Sequence, residues 1–231
     1  TYINQNQFKS GNLFNYAVSD MRPEEYYDYI ELFKEKNGDP KYIILGIDFS
    51  SCLKRDIKIQ DPQFYIQNSK SPFYQYKQLL SYNTLIYSLR NLLKNFSSKN
   101  NVYDRYNIKI KENYQIDKTV EINVNNWEKE AKKDYELAKY NPNFEQNLSK
   151  IRTNNPNSKI ISVFLPDFIP KFLFYSKSKK IYDRCIKDAQ KNSNFIYNFM
   201  YFNKLTTDSK NYYDGSHFRP EIGKIIMDNI R

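Results

Sequence analysis

The sequence predicts an α/β domain, a mainly parallel sheet covered by helices on both sides. Two continuous apolar runs, Lys41–Asp48 (KYIILGID) and Lys159–Leu165 (KIISVFL), have the character of strands buried on both faces of a parallel sheet. Helix-period segments alternate with them, as in β-α-β units. The chain has 231 residues, 40% of them hydrophobic and 17% aromatic, enough for a substantial core.

Asn12–Val18 (NLFNYAV) reads as a short buried strand. Pro23 opens a helix, with Glu24 and Glu25 in the first turn, where the helix dipole favours carboxylates. Tyr26, Tyr29, Ile30 and Phe33 fall on one face of it, and Asn37-Gly38-Asp39-Pro40 stops it. The strand Lys41–Asp48 follows. A long helix is expected over Tyr74–Phe96, with Tyr82, Leu85, Ile86, Leu89, Leu92 and Leu93 as its buried stripe. Residues 97–125 are polar, with a hairpin expected over 106–124, and Trp127–Tyr140 reads as a charged helix. Residues 50–156 as a whole read as an inserted, partly cap-like elaboration within a single domain spanning 1–231.

Regularity returns with the strand Lys159–Leu165, ended by Pro166. Phe172–Lys191 is expected to be helical, with Phe174, Ile181, Cys185 and Ile186 toward the core. Phe195–Phe199 is a fourth strand. Pro220 opens a last helix with Ile222, Ile225, Ile226 and Ile230 on one face. In parallel sheets, sites form on the loops beyond the strand C-terminal ends. Asp20, Asp48, Asp167 and the segment Asp214–His217 all follow expected strands, so they gather at one sheet edge.

No run approaches the ~18 apolar residues needed to cross a bilayer. The formal charge is +10. Scattered lysines interleaved with Asp and Glu favour a solvated surface over a nucleic-acid patch, which needs clustering; an anionic envelope polymer or membrane surface is the other partner this charge suits. The abundance of Lys, Asn, Ile and Tyr fits coding bias in an AT-rich genome. Cys52 and Cys185 lie far apart, and with a single histidine they make no zinc set. Two buried free thiols are the expectation, with one disulfide as the alternative.

The chemistry centres on the one histidine, in Asp214-Gly215-Ser216-His217. Imidazole titrates near neutral pH. An Asp accepting from Nδ1–H fixes the tautomer and leaves Nε2 as a base, which with a serine completes an acyl-transfer triad. By spacing alone, Asp-x-x-His also describes a surface turn before a helix. Asp20 and Asp48 have a capping alternative, being placed near helix starts. Asp167 reads as structural, and Arg219 as a solvated charge or an anion contact. Cys52 with His217 offers a thiol-enzyme alternative, and Ser51 a second nucleophile.

Taken together, these blocks resemble the SGNH (GDSL-type) hydrolases. Asn211-Tyr212-Tyr213-Asp214-Gly215-Ser216-His217-Phe218-Arg219-Pro220, then Ile222-Gly223, is similar to the ending of a bacterial envelope-associated branch. Asn15-Tyr16-Ala17-Val18-Ser19-Asp20 resembles the second block, and Ile44-Leu45-Gly46-Ile47-Asp48-Phe49-Ser50 the third. The resemblance covers residues 12–50 and 159–230. It implies a three-layer α/β/α sandwich of flavodoxin-like type and a serine esterase or O-acyltransferase acting on an acylated envelope glycan or related ester, without metal or cofactor. His217 would be the base, Asp214 its orienting acid, and Ser19, Asp20 and Asp48 would line the oxyanion side. A periplasmic or membrane-anchored location is implied as well.

The departures are specific. The first block, which carries the nucleophilic serine, has no counterpart here, so the serine is expected upstream of Thr1 and the chain by itself is expected to be inactive. Asp20 stands where the family has a glycine and Asp48 where it has an asparagine. An ionised carboxylate only accepts hydrogen bonds and opposes a developing oxyanion. A non-catalytic binding or assembly protein on the same fold is the alternative reading, and a basic nucleic-acid-binding domain a third.

Overall fold

The computed structural model describes residues 21–54, 138–168, 179–212 and 217–230, together with Phe14 and scattered positions between 70 and 89. The chain divides into two compact units, one of residues 1–58 and 114–231, the other of residues 59–113.

In the larger unit, helix α1 (Pro23–Asn37) starts with proline at its first position. Glu25 reaches back to accept the Arg22 N–H at 2.8 Å, satisfying a donor at the helix start. The helix ends at Gly38, whose φ of +78° is one that side chains with a Cβ rarely adopt, and whose N–H donates to Lys34. Strand β1 (Tyr42–Ile47) follows, then a 3-10 turn, Phe49–Cys52. Helix α2 (Asn143–Asn154) precedes β2 (Lys159–Phe164). Helix α3 (Lys179–Asn192), β3 (Phe195–Asn198), the single turn α4 (Lys204–Thr207) and α5 (Pro220–Ile230) complete the described elements.

The three strands form a parallel sheet in the order β1-β2-β3. Register pairs Ile47 with Phe164 and Phe164 with Asn198, so the strands end level with one another. The protein is thus α/β with a small parallel sheet. Alternation of side chains along each strand sends neighbours to opposite faces. Ile43, Leu45, Ile47, Ile160 and Phe164 join one apolar cluster with Phe144, Leu148 and Ile151 of α2 and Cys185 and Ala189 of α3. Ile161 and Val163 join another with Ile222 and Ile226 of α5, against which Ile44 and Phe218 pack.

Several expectations need correcting. Cys52 and Cys185 are not free thiols: both are fully buried, their Cα atoms are 5.9 Å apart, and they form a disulfide. The strand β1 is not buried throughout, since Tyr42 and Gly46 are exposed. On α1, Tyr26 and Ile30 face the core as expected, but Tyr27 joins them, while Phe33 meets Phe14 edge to face at 4.9 Å. On α5, Ile225 is exposed and Met227 is buried in its place. In the smaller unit Tyr82, Leu85 and Leu89, expected in a buried stripe, are exposed. The strand at 12–18, the hairpin at 106–124, Leu92, Leu93 and nearly all of Trp127–Tyr140 lie outside the described residues; the last residues of that stretch, 138–140, are not helical.

Helix α2 was not anticipated, and lay inside the segment read as an elaboration. It packs with α1 and α3. Its sequence, NFEQNLSKIRTN, is polar on average, but Phe144, Leu148 and Ile151 recur at i, i+4 and i+7 and are all buried.

The chain leaves the sheet at Lys54 and returns beside its own point of departure. Leu53 and Tyr140 form an antiparallel bridge, Lys54 N–H donates to Lys139 at 2.7 Å, and Asn141 N–H donates to Cys52 at 2.8 Å. The disulfide joins this neck to α3 across 133 residues of sequence. On a chain-entropy account, closing a loop of that length in the unfolded state is worth about 5 kcal/mol. Reduction is therefore expected to lower the unfolding free energy by roughly 2–5 kcal/mol. Urea unfolding with and without reductant measures this, and thiol titration of the denatured, unreduced chain should find no free cysteine.

Candidate functional site

Two sets of side chains meet the C-terminal ends of the strands. The first follows β1. Asp48 caps the 3-10 turn, its Oδ1 accepting the Ser51 N–H at 2.8 Å, the Ser50 hydroxyl at 2.7 Å and the Ser51 hydroxyl at 2.9 Å. The sequence favours this locally: Asp followed by two serines offers one acceptor for a backbone donor and two hydroxyl donors within a single turn. The carboxylate is therefore committed as an acceptor, which is the structural alternative foreseen for it. Ser50 and Ser51 line a shallow cleft with Arg22, Glu24 and Asn141 at the start of α1. Asn141 Nδ2 donates to Glu24 Oε1 at 2.7 Å, while Glu24 Oε2 is buried with no hydrogen-bond partner. Ser51 is itself buried, so it is poorly placed as a nucleophile.

Beneath this turn Tyr26 donates its hydroxyl to the Gly46 carbonyl at 3.0 Å. Burial, reinforced by the negative charge of Asp48, holds its phenol well above the ordinary tyrosine range.

The second set connects β2 to the histidine. Beyond β2, Pro166 is followed by the buried Asp167 and by Phe168. Phe168 packs on Tyr212 with ring centroids 5.6 Å apart. Tyr212 is fully buried, and its hydroxyl has no hydrogen-bond partner. Burial first, then the nearby Asp167 charge, push its phenol far up. The backbone of Tyr212 forms an antiparallel bridge with Phe218, and the Arg219 N–H donates to Asn211 at 2.8 Å. Phe218 in turn packs into the cluster of Ile161, Val163 and α5.

His217 thus stands immediately before the half-buried Phe218, and it is itself exposed. A core histidine would be enclosed; this one is exposed. Asp214, Ser19 and Asp20 lie outside the described residues. Of the five candidates, the structure therefore locates Asp48 and His217: the first at the end of β1, the second tied through Tyr212 and Phe168 to the end of β2. These strands are neighbours, hydrogen-bonded to their ends by Leu165 N–H to Ile47 at 3.0 Å. Arg219 accepts from Ile222 and Gly223 through its carbonyl, starting α5. Cys52, locked in the disulfide, is excluded as a thiol nucleophile. Among the described residues, no group of His, Cys, Asp and Glu is arranged to hold a metal.

Sequence reasoning did not single out Tyr212 as an anchor. Its signal was position: an aromatic five residues before the histidine, with a second aromatic, its bridge partner Phe218, directly after it.

No protein-family model, curated protein or solved structure matches this chain.

Two expectations follow from the geometry. Asp48→Ala removes the cap acceptor and should cost about 1–2 kcal/mol, whereas Asp48→Asn, which keeps an acceptor oxygen, should cost under about 0.5 kcal/mol. Urea unfolding at constant m-value checks both; an unperturbed Asp48→Ala contradicts the cap. The second concerns Tyr26, Tyr212 and Tyr140, whose phenol is also raised, by burial and by its 2.5 Å hydrogen bond to Asp188. A raised folded-state value means the unfolded chain loses these protons first. Their contribution is then fully present below pH ~10 and falls as pH rises beyond it, by up to about 1.4 kcal/mol per pH unit for each phenol. Unfolding free energies across pH 9–11.5, with tyrosinate absorbance followed in parallel, give that slope.

Proposed function

We propose that the chain belongs to an SGNH-type serine ester hydrolase or O-acyltransferase, built as a three-layer α/β/α sandwich and acting on an acylated bacterial envelope molecule. The observation that carries the reading is the seat of His217, an exposed residue directly before the last helix, next to Phe218, which is half-buried against the α5 cluster and bridges the fully buried Tyr212. The parallel order β1-β2-β3, with apolar clusters formed by alternate strand residues, fits the proposed layering. A buried disulfide fits an oxidising compartment such as the envelope. Among the described residues no helix is long and apolar enough to cross a membrane.

In the proposed reaction the hydroxyl of a serine upstream of this sequence attacks the ester carbonyl while His217 Nε2 takes its proton. Asp214 holds Nδ1–H and stabilises the imidazolium. The tetrahedral intermediate collapses, the ester C–O bond breaks, and His217 returns the proton to the departing alkoxide. Water or an acceptor hydroxyl then attacks the acyl-enzyme, delivering its proton to His217, which passes it to the serine Oγ as the acyl–Oγ bond breaks and the acyl group is released. Backbone amides near Asp20 would receive the oxyanion.

A second reading, a binding or assembly protein on the same fold, draws on Asp48. Its carboxylate stands where the family has an asparagine, and it is occupied in capping. A basic nucleic-acid-binding domain has no comparable support.

The test uses the protein translated from its complete coding sequence. It should contain a strand ending in Gly-x-Ser, react with a fluorophosphonate, and turn over p-nitrophenyl acetate. His217→Ala, an exposed position, should leave the unfolding midpoint unchanged and lower turnover about 10³-fold or more. Absence of the serine, or turnover that survives His217→Ala, rejects the enzyme and favours the binding protein.

A further inference from the structure

Residues 62–103 contain no aspartate or glutamate, although the chain's average of 26 acids in 231 residues would place about five in a stretch of that length. The same stretch carries Lys70, Lys77, Arg90, Lys94 and Lys99. Lysines elsewhere are interleaved with acids, so the positive charge is segregated here and not merely scattered. The stretch lies within the smaller unit, residues 59–113.

Its described apolar side chains are on the outside. Phe73, Tyr76, Leu80, Tyr82, Leu85 and Leu89 are 47–84% exposed. Isolated exposed hydrophobics are ordinary; six within seventeen residues of sequence are not. Local backbone contacts are of the helical kind, with Leu80 N–H donating to Tyr76 at 2.9 Å and Leu85 N–H to Ser81 at 3.0 Å.

We infer that this unit docks on an anionic phospholipid surface, through Phe73, Tyr76, Leu80, Tyr82, Leu85 and Leu89 set in an acid-free cationic stretch. The combination is that of a segment that lies in a membrane interface without spanning it: aliphatic groups enter the acyl boundary, tyrosines sit at the headgroups with their hydroxyls wet, and lysines meet the lipid charge. Each Lys or Arg held near an anionic leaflet strengthens partition roughly fivefold. Two other occupants fit less well. A symmetric contact with a second copy would bring two cationic stretches against each other, with no acid on either to offset them. Single-stranded nucleic acid is held by aromatic stacking, for which Leu80, Leu85 and Leu89 offer nothing.

The inference extends the envelope placement proposed above but uses none of the residues at the sheet edge, so vesicle binding and ester turnover fail independently. The test is co-sedimentation of the full chain with sucrose-loaded vesicles at ~0.1 M salt. Vesicles of equal parts phosphatidylglycerol and phosphatidylcholine should bind it at least tenfold more strongly than phosphatidylcholine alone, and binding should weaken at ~0.5 M salt as the charges are screened. The variant Leu80→Ser/Leu85→Ser/Leu89→Ser keeps every charge and changes only exposed side chains. It should retain the wild-type unfolding midpoint and lose binding tenfold or more. Three results overturn the proposal: no preference for phosphatidylglycerol; binding that the triple variant retains, which would mean that net charge alone attracts; or a dimer in sedimentation equilibrium that the triple variant converts to monomer, which would assign the surface to a second copy.

Discussion

The tie between Cys52 and Cys185 governs the arrangement of the larger unit. It sits where the chain leaves β1, in a turn whose two flanks are already occupied: Leu53 bridges the returning Tyr140, and Asn141 donates to Cys52. Without a fixed neck, the segment between Lys54 and Ala138 would be a long excursion whose closure entropy opposes docking of α2 and β2 onto β1. With it, the chain re-enters beside its exit, and α2 and β2 complete the sheet as though the excursion were absent. The disulfide carries the constraint on to α3. Arg184 of that helix lies over the Tyr140 ring at 4.0 Å, and Asp188 accepts the Tyr140 hydroxyl, so covalent and polar links converge on the same helix face.

The neck also sets the chemistry of the β1 edge. Its turn needs an acceptor for the Ser51 N–H, and Asp48 supplies it while collecting two serine hydroxyls. An asparagine in that place would accept through its oxygen and keep an N–H₂ to donate; the aspartate only accepts. A carboxylate is of little use to a developing oxyanion and well suited to a cap with three donors, so Asp48 is accounted for by local hydrogen bonding alone.

Legibility in the sequence followed the strength of the periodic signal. β1, β2, β3 and α1 were readable because their apolar runs are dense and their ends are punctuated by Pro23, Gly38 and Pro166. α2 was not, because three buried residues among asparagines and charges fall below any average measure of hydrophobicity. The stripe at Tyr82, Leu85 and Leu89 was read correctly as apolar and wrongly as buried: periodicity tells which residues share a face and says nothing of what covers that face. The disulfide could not be read from two cysteines 133 residues apart, since only the fold brings α3 against the turn after β1. The packing of Phe168 on Tyr212 was not legible, because it involves residues too common to stand out in a chain with 22 tyrosines and 16 phenylalanines.

That seating decides how the histidine is to be weighed. A buried hydroxyl without a partner is destabilising, and Tyr212 holds one beside a buried carboxylate. Nothing about core packing asks for tyrosine there; phenylalanine fills the same volume without the penalty. Phe218, on the opposite side of the bridge, meets the ordinary apolar demand of its cluster. The bridge between Tyr212 and Phe218 therefore joins a fully buried ring to one packed against the α5 cluster, with the exposed His217 beside it. Holding the backbone at Tyr212 and Phe218 costs conformational entropy, which an ordinary surface turn has no need to spend. In the proposed reaction a base that must meet its substrate in one orientation would gain from it, because misplacement by about 1 Å erodes proton transfer steeply. On the proposed reading, the packing of its neighbours, more than the Asp-x-x-His spacing, is what would set His217 apart from a histidine on a surface turn.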